Sequence, residues 1–405
     1  MSPDLTLTVQ ETGPGSTYEL TGDQVAALVA VPDLVRLTPA PGRRWNVRGN
    51  QKVGLIRLPT RSGGAIHLQL RPKLGIRDLL FLLSYSSTDP WHPEPVTAAT
   101  ADDLLPALAD LLARTARRTL EGGVLHGYQE VAEELPLIRG RIRTTDQLRR
   151  TGLPLPISVR YDDHTPDIPE NRILLAALHL AAHLPGVPHP TRLTLRHLAH
   201  RLHGVRRSHP GERLPIWTPT RLNARYTSAL RLAELLLSGR SIRQEGGAPT
   251  PADGFLLDLP KVFERFLTVT LGEALSRHGI RCSPQDVHRL DEARRATFRP
   301  DLVLYRGGRP ISVMDAKYTF LKVTSPPVEH LYQLLAYCTA LGISHGHLVY
   351  AATGGNTAPT DHVIRCSPVT ITAHALNLNE PPAGLLAQIA ALADRTATAA
   401  PRDSA

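Results

Sequence analysis

The sequence of 405 residues contains few cysteines and lysines, and it has no long apolar run. Its three cysteines are far apart and form no CxxC pair, which excludes a disulfide framework and a cysteine-based zinc site and favours the reducing cytoplasm. No run of about 18 apolar residues occurs, so no membrane span is expected. No GxxxxGK[ST] segment occurs either, so any nucleotide hydrolysis would require a partner protein.

Arginine, in contrast, is abundant. Lysine and arginine together number 46 against 37 aspartates and glutamates, which gives a formal net charge of +9. Residues 137–250 carry 18 basic and 8 acidic side chains, so their net charge is +10 and they account for the whole excess. This concentration favours a polyanionic partner for the middle of the chain. A GC-rich genome is the alternative explanation, because it also enriches arginine.

Three of these arginines lie in LIRGRIRTT, which we predict to be a strand. Side chains two apart in a strand share a face, so Arg139, Arg141 and Arg143 are expected to point the same way. We predict that this face contacts DNA or a protein partner. An exposed basic face without a ligand is the alternative.

The order of apolar patterns and turn residues predicts an α/β fold of the α+β multidomain type. Residues 1–100 have the pattern of short strands followed by a helix, and residues 101–250 form a predominantly helical basic segment. Residues 251–392 are predicted to form a helix, a strand hairpin, a helix and a strand around a mixed sheet. Residues 393–405 have the composition of a disordered tail.

The predicted hairpin carries the residues that point to chemistry. Asp301 is on its first strand, and Asp315 and Lys317 share one face of its second strand. Two carboxylates on neighbouring strands form a hard oxygen site that suits Mg²⁺, and a lysine beside it can orient a water and stabilise charge on a phosphate. This composition predicts phosphodiester hydrolysis. The alternative is an acidic sheet edge in which Lys317 only neutralises Asp315.

Two helices flank the hairpin in sequence. Glu264, on the helix before it, is a candidate third acidic ligand. Gln333 and Tyr337 are four residues apart on the helix after it, so they share a face that can meet the Asp/Lys end of the hairpin or the DNA backbone.

These residues resemble the PD-(D/E)xK nuclease superfamily in the branch with a QxxxY helix, and more closely the McrC family of modification-dependent restriction systems. The segments that carry the resemblance are RPKLGIRDLLFLLSYS (71–86), IRGRI (138–142), YDDHTPDIPENRILLAAL (161–178), and RPDLVL, VMDAKY and YQLLAY in the last part. The resemblance covers roughly residues 50 to 350. Many relatives have a further lysine two places after the DxK lysine, where this chain has Thr319.

The resemblance implies metal ligation by Asp301 and Asp315, with Glu264 as a supporting acid, and a catalytic role for Lys317. The metal is Mg²⁺, with Mn²⁺ as an alternative, and Gln333 and Tyr337 support the site. It also implies a C-terminal domain that cuts double-stranded DNA containing methylcytosine. Residues 1–100 would then bind an McrB-type AAA+ GTPase and stimulate it, with GTP bound by that partner and not by this chain.

Two other hypotheses remain open at this point. The chain is either an adaptor that regulates an AAA+ ring with little or no cleavage, or a stand-alone DNA nuclease of the PD-(D/E)xK type. Metal-dependent nicking by the purified complex separates the first from an endonuclease subunit. Cleavage by this chain alone, without nucleotide, supports the second.

Overall fold

The computed structural model describes residues 4–84, 104–149, 155–208, 212, 214–239, 253–320, 325–354 and 358–399. The chain divides into two compact units. The larger unit combines Met1–Leu104 with Gly239–Ala405, and the central unit is Leu105–Ser238.

The described residues form eighteen strands and ten helices. The strands in chain order are β1 Leu5–Gln10, β2 Ser16–Glu19, β3 Val35–Ala40, β4 Arg44–Gly49, β5 Lys52–Pro59, β6 Ala65–Arg71, β7 Gly127–Leu135, β8 Arg141–Ile142, β9 Ile157–Thr165, β10 Asp253–Asp258, β11 Arg281–Pro284, β12 His288–Arg289, β13 Thr297–Phe298, β14 Leu302–Arg306, β15 Arg309–Lys317, β16 His345–Ala352, β17 Thr360–Val363 and β18 Thr370–Asn377. The helices are α1 Gly22–Val29, α2 Ile76–Ser84, α3 Leu104–Glu121, α4 Thr144–Leu148, α5 Pro169–His183, α6 His189–Arg201, α7 Thr227–Gly239, α8 Leu259–Ser276, α9 Val328–Leu341 and α10 Pro382–Ala399. None of the described helices is long and apolar enough to cross a membrane.

The N-terminal part of the larger unit contains two sheets. A four-stranded sheet has the order β1-β6-β5-β10, and a three-stranded sheet has the order β2-β4-β3. The hairpin β5–β6 is antiparallel as the Gly-containing turn predicts, and β1 adds to it in parallel. β10 comes from much later in the chain and pairs with β5, where a Cβ on Gly54 would lie 2.0 Å from the Phe255 carbonyl oxygen. The first and last parts of the chain therefore share a sheet.

A six-stranded mixed sheet, β11-β14-β15-β16-β18-β17, is the centre of the C-terminal part. β14 and β15 form the predicted antiparallel hairpin, and β15, β16 and β18 are parallel. α9 packs on this sheet, with Leu334 and Cys338 in one core cluster with Val313 and Leu348. α8 packs against α10 and against strands β11 and β15. The sequence-based prediction of a multidomain α+β fold with mixed sheets is confirmed.

Local sequence explains where the helices of the larger unit begin and end. α8 begins after Asp258, whose side chain accepts the Lys261 backbone N–H. α9 ends at Gly342, which has a φ of 66° and so adopts the left-handed conformation of a helix C-terminus. Both ends fix the register of helices that carry candidate site residues.

The central unit contains α3, α5, α6 and α7 and a three-stranded sheet of order β7-β9-β8. Its helices bury leucines and alanines at helical spacing, among them Leu108 and Leu112 on α3 and Leu174 and Leu178 on α5. The sheet is antiparallel and largely exposed along β7. The middle of the chain is thus helical with a small sheet.

Several predicted elements differ from the structure. The predicted strand LIRGRIRTT is reduced to the two residues of β8, because Gly140 turns the chain with a φ of 71°. Asp162 and Asp163 lie on β9, before the turn that leads into α5. The disordered tail predicted from residue 393 is wrong for residues 393–399, which continue α10 and bury Ala393 and Thr396. Residues 400–405 lie outside the described residues.

Candidate active site

Two aspartates meet where β14 begins and β15 ends. The antiparallel register pairs Leu302 with Met314, so Asp301 lies just before β14 and close to Asp315 on β15. The Asp301 Oδ2 atom accepts the Ala316 backbone N–H at 2.8 Å, which fixes this carboxylate against the neighbouring strand. Asp315 is only 3% exposed. The hairpin therefore brings together the two carboxylates that the sequence predicted.

The proximity of these carboxylates has an electrostatic cost. Burial, and after it the nearby negative charges of Asp315 and Glu264, raise the pKa of Asp301 to about 7, although the Ala316 N–H and Lys317 act to lower it. A site that accumulates negative charge in this way is suited to a cation.

Lys317 is the cation that the chain itself supplies. Its Nζ lies 2.6 Å from Asp315 Oδ2 and donates a hydrogen bond of 2.9 Å to Gln333 Oε1. The Gln333 amide donates in turn to the Tyr337 hydroxyl at 2.8 Å, and the Tyr337 ring stacks on Phe298 at 4.9 Å between centroids. The helix residues Gln333 and Tyr337 are therefore connected to Lys317 through this chain of contacts.

Glu264 reaches the site through a residue that the sequence analysis missed. The Gln285 side-chain amide donates to Glu264 Oε1 at 2.5 Å and to Asp301 Oδ1 at 3.2 Å. The Gln285 backbone N–H also donates to the Asp301 carbonyl oxygen, and its φ of 51° is unusual for a residue other than glycine. No motif marks Gln285, because its role depends on the pairing of β11 with β14.

A histidine and a tyrosine lie behind the lysine and were also missed. Tyr350 pairs with Lys317 in the β15–β16 register, and its hydroxyl lies 2.8 Å from His330 Nδ1 on α9. Burial and then the positive charge of Lys317 lower the pKa of His330. His330 is therefore favoured in its neutral form beside the lysine.

The end of β15 is held by the N-terminal part of the larger unit. The Tyr318 hydroxyl donates to Glu11 Oε1 at 3.1 Å, and Glu11 is fully buried. The same carboxylate oxygen accepts the Lys73 backbone N–H at 2.8 Å, and the Gln51 amide donates to the Tyr318 carbonyl oxygen at 2.7 Å. Burial raises the pKa of Glu11 to about 7. Tyr318, the residue next to Lys317, is thus held by Glu11 and Gln51, and Glu11 is itself held by the Lys73 backbone.

The donor set of the site is compatible with a hard divalent cation. Asp301 and Asp315 present carboxylate oxygens, and Glu264 is linked to Asp301 by Gln285. Within the described ranges, no three His, Cys, Asp or Glu side chains already have the spacing of a complete metal centre. Mg²⁺ is compatible with such a set, because it commonly takes one or two carboxylates and keeps several waters.

Other candidate residues have local partners. Arg139 pairs with Asp163 at 2.8 Å and stacks on Tyr161, and Arg143 pairs with Asp146 at 2.5 Å. Our argument that Arg139, Arg141 and Arg143 share one strand face is wrong, because β8 contains only the middle one of the three. No contact among the described residues tests whether they bind DNA or a partner, and the ion pairs of Arg139 and Arg143 weigh against a phosphate ligand at these two positions.

His183 Nδ1 lies 2.7 Å from the His179 carbonyl oxygen, as expected for an ordinary helix contact. Asp167 forms a two-contact ion pair with Arg172 of α5. Asp167 therefore supports the start of α5 by an ion pair, because α5 has no side-chain cap.

The fold and the site define a multidomain α+β protein in which a mixed sheet brings two aspartates and a lysine together at the end of one hairpin. A family model described as McrBC 5-methylcytosine restriction system component matches residues 47–351, and the chain belongs to this family. No curated protein matches the sequence significantly.

Two solved structures from Thermococcus gammatolerans resemble the chain. One is a refined half-complex from a tetradecameric assembly of McrB AAA+ hexamers with bound McrC; it matches with a TM-score of 0.56 and 18% identity over 96% of this chain and 100% of that chain. The other is a cryo-EM structure of the McrBC complex, with a TM-score of 0.40 and 20% identity over 67% of this chain and 88% of that chain. The first likeness supports the fold, and the second carries no argument at that score.

Proposed function

We propose that this chain is the Mg²⁺-dependent DNA endonuclease subunit of an McrBC-like restriction complex. The observation that carries the proposal is the convergence of Asp301, Asp315 and Lys317 at one end of the β14–β15 hairpin, with Lys317 bonded to Gln333. Family membership supports a role in restriction of methylated DNA. The three free cysteines are compatible with action in the cytoplasm.

In this proposal the side chains have separate tasks. Asp301 and Asp315 hold the metal, and Glu264 supports it from α8 through Gln285. A bound Mg²⁺, or Mn²⁺ as an alternative, lowers the pKa of its water and neutralises phosphate charge. Lys317 orients the attacking water and stabilises negative charge on the phosphate. Gln333 holds the lysine Nζ, with Tyr337 as the support for Gln333.

The partner in this proposal is an McrB-type AAA+ GTPase. The T. gammatolerans structure contains McrB hexamers with bound McrC, and 96% of this chain matches the fold of a chain of that complex. The GTPase binds GTP and this chain does not. We assign partner binding and GTPase stimulation to residues 1–100, and cleavage to residues 251–392. Both stretches belong to the same compact unit, so this division assigns functions and does not mark separate structural domains.

The test is cleavage of methylated and unmethylated duplex DNA by the chain with its McrB-type partner, GTP and Mg²⁺. Asp301→Asn and Lys317→Ala are expected to abolish cutting and to leave stimulation of the partner GTPase intact. Asp315→Asn is expected to abolish Ca²⁺ binding in calorimetry, a readout that does not depend on activity. Asp361→Asn, on edge strand β17 of the same sheet, is the matched control.

Three outcomes contradict the proposal or a part of it. GTPase stimulation without cleavage by the wild-type complex would indicate a regulator of the ring. Cleavage by this chain alone, without partner or nucleotide, would indicate a stand-alone nuclease. Unchanged cleavage by the Asp301 and Lys317 variants would refute the site assignment itself.

A further inference from the structure

The positive charge of the central unit is unevenly distributed. Residues 171–208, which include most of α5 and all of α6, contain six arginines and six histidines and no aspartate or glutamate. The residues that carry the β7–β9–β8 sheet, 127–149 and 155–165, contain five arginines and six acidic residues. The basic excess of the unit therefore lies on its helices and not on its sheet.

The sheet arginines are also largely neutralised by contact. Arg139 pairs with Asp163, Arg143 with Asp146, and Arg160 with Glu130 at 3.4 Å. An arginine whose charge is already matched by a carboxylate releases few counterions when it approaches a phosphate. These side chains are therefore poor candidates for binding a polyanion.

The helices present the opposite situation. α6 buries Leu195, Leu198 and Ala199 and exposes Arg196, His197 and His200. Arg207, exposed in the segment after α6, lies close enough to His179 of α5 to lower its pKa, after the larger effect of burial. Among the described residues, neither Arg196 nor Arg207 forms an ion pair. We call Arg196, His197, His200 and Arg207 the α6 patch.

Other arginines of the same segment have structural tasks that leave the α6 patch distinct. Arg201 donates to the Leu120 carbonyl oxygen at 2.6 Å, which ties α6 to α3, and Arg192 donates to the Val187 carbonyl oxygen. Arg172 is paired with Asp167. The exposed arginines without an ion pair among the described residues, Arg196 and Arg207, are thus distinct from the arginines that hold the helices together.

We propose that the α6 patch binds the phosphate backbone of double-stranded DNA, independently of sequence and of the catalytic metal. Arginine guanidinium groups and histidine ring N–H groups are donors suited to phosphate oxygens, and residues 171–208 contribute no acidic side chain that would repel DNA. Asp167 and Glu212, which contact Arg206 next to Arg207, are already paired with Arg172 and Arg206. The inference rests on the proposed function, because it names a second place at which the chain holds the DNA that it cuts.

The experiment measures binding of the full chain to a duplex of about 30 base pairs by fluorescence anisotropy over a range of salt concentrations, in EDTA and without nucleotide. The patch variant is Arg196→Gln with Arg207→Gln. The matched control is Arg139→Gln with Arg160→Gln, which removes the same charge from the same unit at paired positions. Circular dichroism checks that both variants fold.

The patch variant is expected to bind at least about tenfold more weakly near 0.1 M salt, and the slope of log K against log salt is expected to fall by about 2, since each lost phosphate contact removes roughly 0.9. The control is expected to change neither quantity. Equal binding by the patch and control variants would overturn the proposal. A patch variant that loses GTPase stimulation but keeps DNA binding would overturn it also, and would assign the patch to the protein partner.

The outcome is separable from that of the proposed function. Asp301→Asn is expected to bind DNA like the wild type and to lose cleavage. The patch variant is expected to lose cleavage at salt concentrations where it no longer binds DNA, and to regain cleavage where low salt restores binding. If the wild-type chain never cuts DNA but the patch variant still binds DNA more weakly than the wild type, the proposed nuclease function is refuted and the proposed DNA-binding surface is supported.

Discussion

Replacing Glu11 with glutamine tests whether the fully buried carboxyl group at the end of the candidate catalytic strand resists ionisation in the folded chain. Glu11 accepts hydrogen bonds from the Lys73 backbone N–H and the Tyr318 hydroxyl, both through Oε1. Its Oε2 atom is buried and has no hydrogen-bond partner in the described part of the chain. Burial without full compensation raises the pKa of Glu11 from 4.5 to about 7.

The sign and size of the effect follow from proton linkage. Below pH 4.5 the carboxyl group is protonated in both the folded and the unfolded chain, so its ionisation has no effect on stability. Between pH 4.5 and about 7 the folded chain binds more protons than the unfolded chain, so the free energy of unfolding falls as the pH rises. The shift to a pKa of about 7 corresponds to about 3 kcal/mol of lost stability above pH 7.

Glu11→Gln keeps an acceptor oxygen for both donors and removes this titration. Relative to the wild type, the free energy of unfolding of the variant is therefore expected to rise by about 3 kcal/mol between pH 4.5 and pH 8.5. Because this difference is compared between two pH values, any effect of the substitution that does not depend on pH cancels. The cost of burying the new amide NH₂ group is one such effect. Urea unfolding followed by circular dichroism at five pH values measures it.

The control is Glu19→Gln, which replaces an exposed glutamate of the same N-terminal part. Its stability curve is expected to run parallel to that of the wild type. A parallel curve for Glu11→Gln as well would refute the reasoning, because it would mean that Glu11 ionises in the folded chain as readily as in the unfolded one.

Two further predictions concern the six-stranded sheet. Gln333→Ala removes the acceptor of the Lys317 Nζ and is expected to lower the cleavage rate by about 10- to 100-fold with little change in Ca²⁺ binding; an equal loss of both would assign Gln333 to the metal site. Burial lowers the pKa of His347 to about 4 and that of His374, its neighbour at 3.0 Å, to about 2. Because the folded chain then binds fewer protons than the unfolded chain below pH 6.5, the sheet should lose stability as the pH falls. His347→Leu should lessen this acid sensitivity in thermal melts at pH 5 relative to pH 7, and an unchanged difference would refute it.

The parts of the fold that depend on neighbours in sequence were predictable. The β5–β6 hairpin follows from apolar alternation around a glycine turn, and the bounds of β16 agree with the apolar run HGHLVYAA. Asp301 and Asp315 come together for the same reason, because a short turn fixes the pairing of the two strands that carry them. The arrangement was therefore predictable, and the chemical roles stay predictions.

Composition and simple alternation predicted the wrong local structure at two places. The alanine- and threonine-rich end of α10 has the composition of a flexible tail, but Ala393 and Thr396 are buried, so tertiary packing decides its conformation. Alternating arginines suggested a strand face, but Gly140 turns the chain and ion pairs fix Arg139 and Arg143 separately. In both cases the deciding contact comes from a residue that is distant in sequence or from a backbone angle.

Residues of the site that no local pattern marks were out of reach for the same reason. Gln285 matters because β11 pairs with β14, and Tyr350 matters because β16 lies parallel to β15. Glu11 is 307 positions away from Tyr318, the residue with which it shares a hydrogen bond. Contacts of this kind are set by topology, which a single sequence does not reveal.

The contact between Glu11 and Tyr318 bears on how the two proposed activities of the larger unit are related. β1 ends next to Glu11, β6 ends two residues before Lys73, and β15 ends at Lys317, next to Tyr318. Three strand ends thus meet through one buried carboxylate, one phenol and one backbone N–H. The region to which we assign partner binding is therefore in direct contact with the strand that carries Lys317. Displacing the end of β1 or the end of β15 would break the buried hydrogen bond between Glu11 and Tyr318, beside the candidate catalytic lysine. The free-energy cost would be that of leaving a buried polar group unsatisfied.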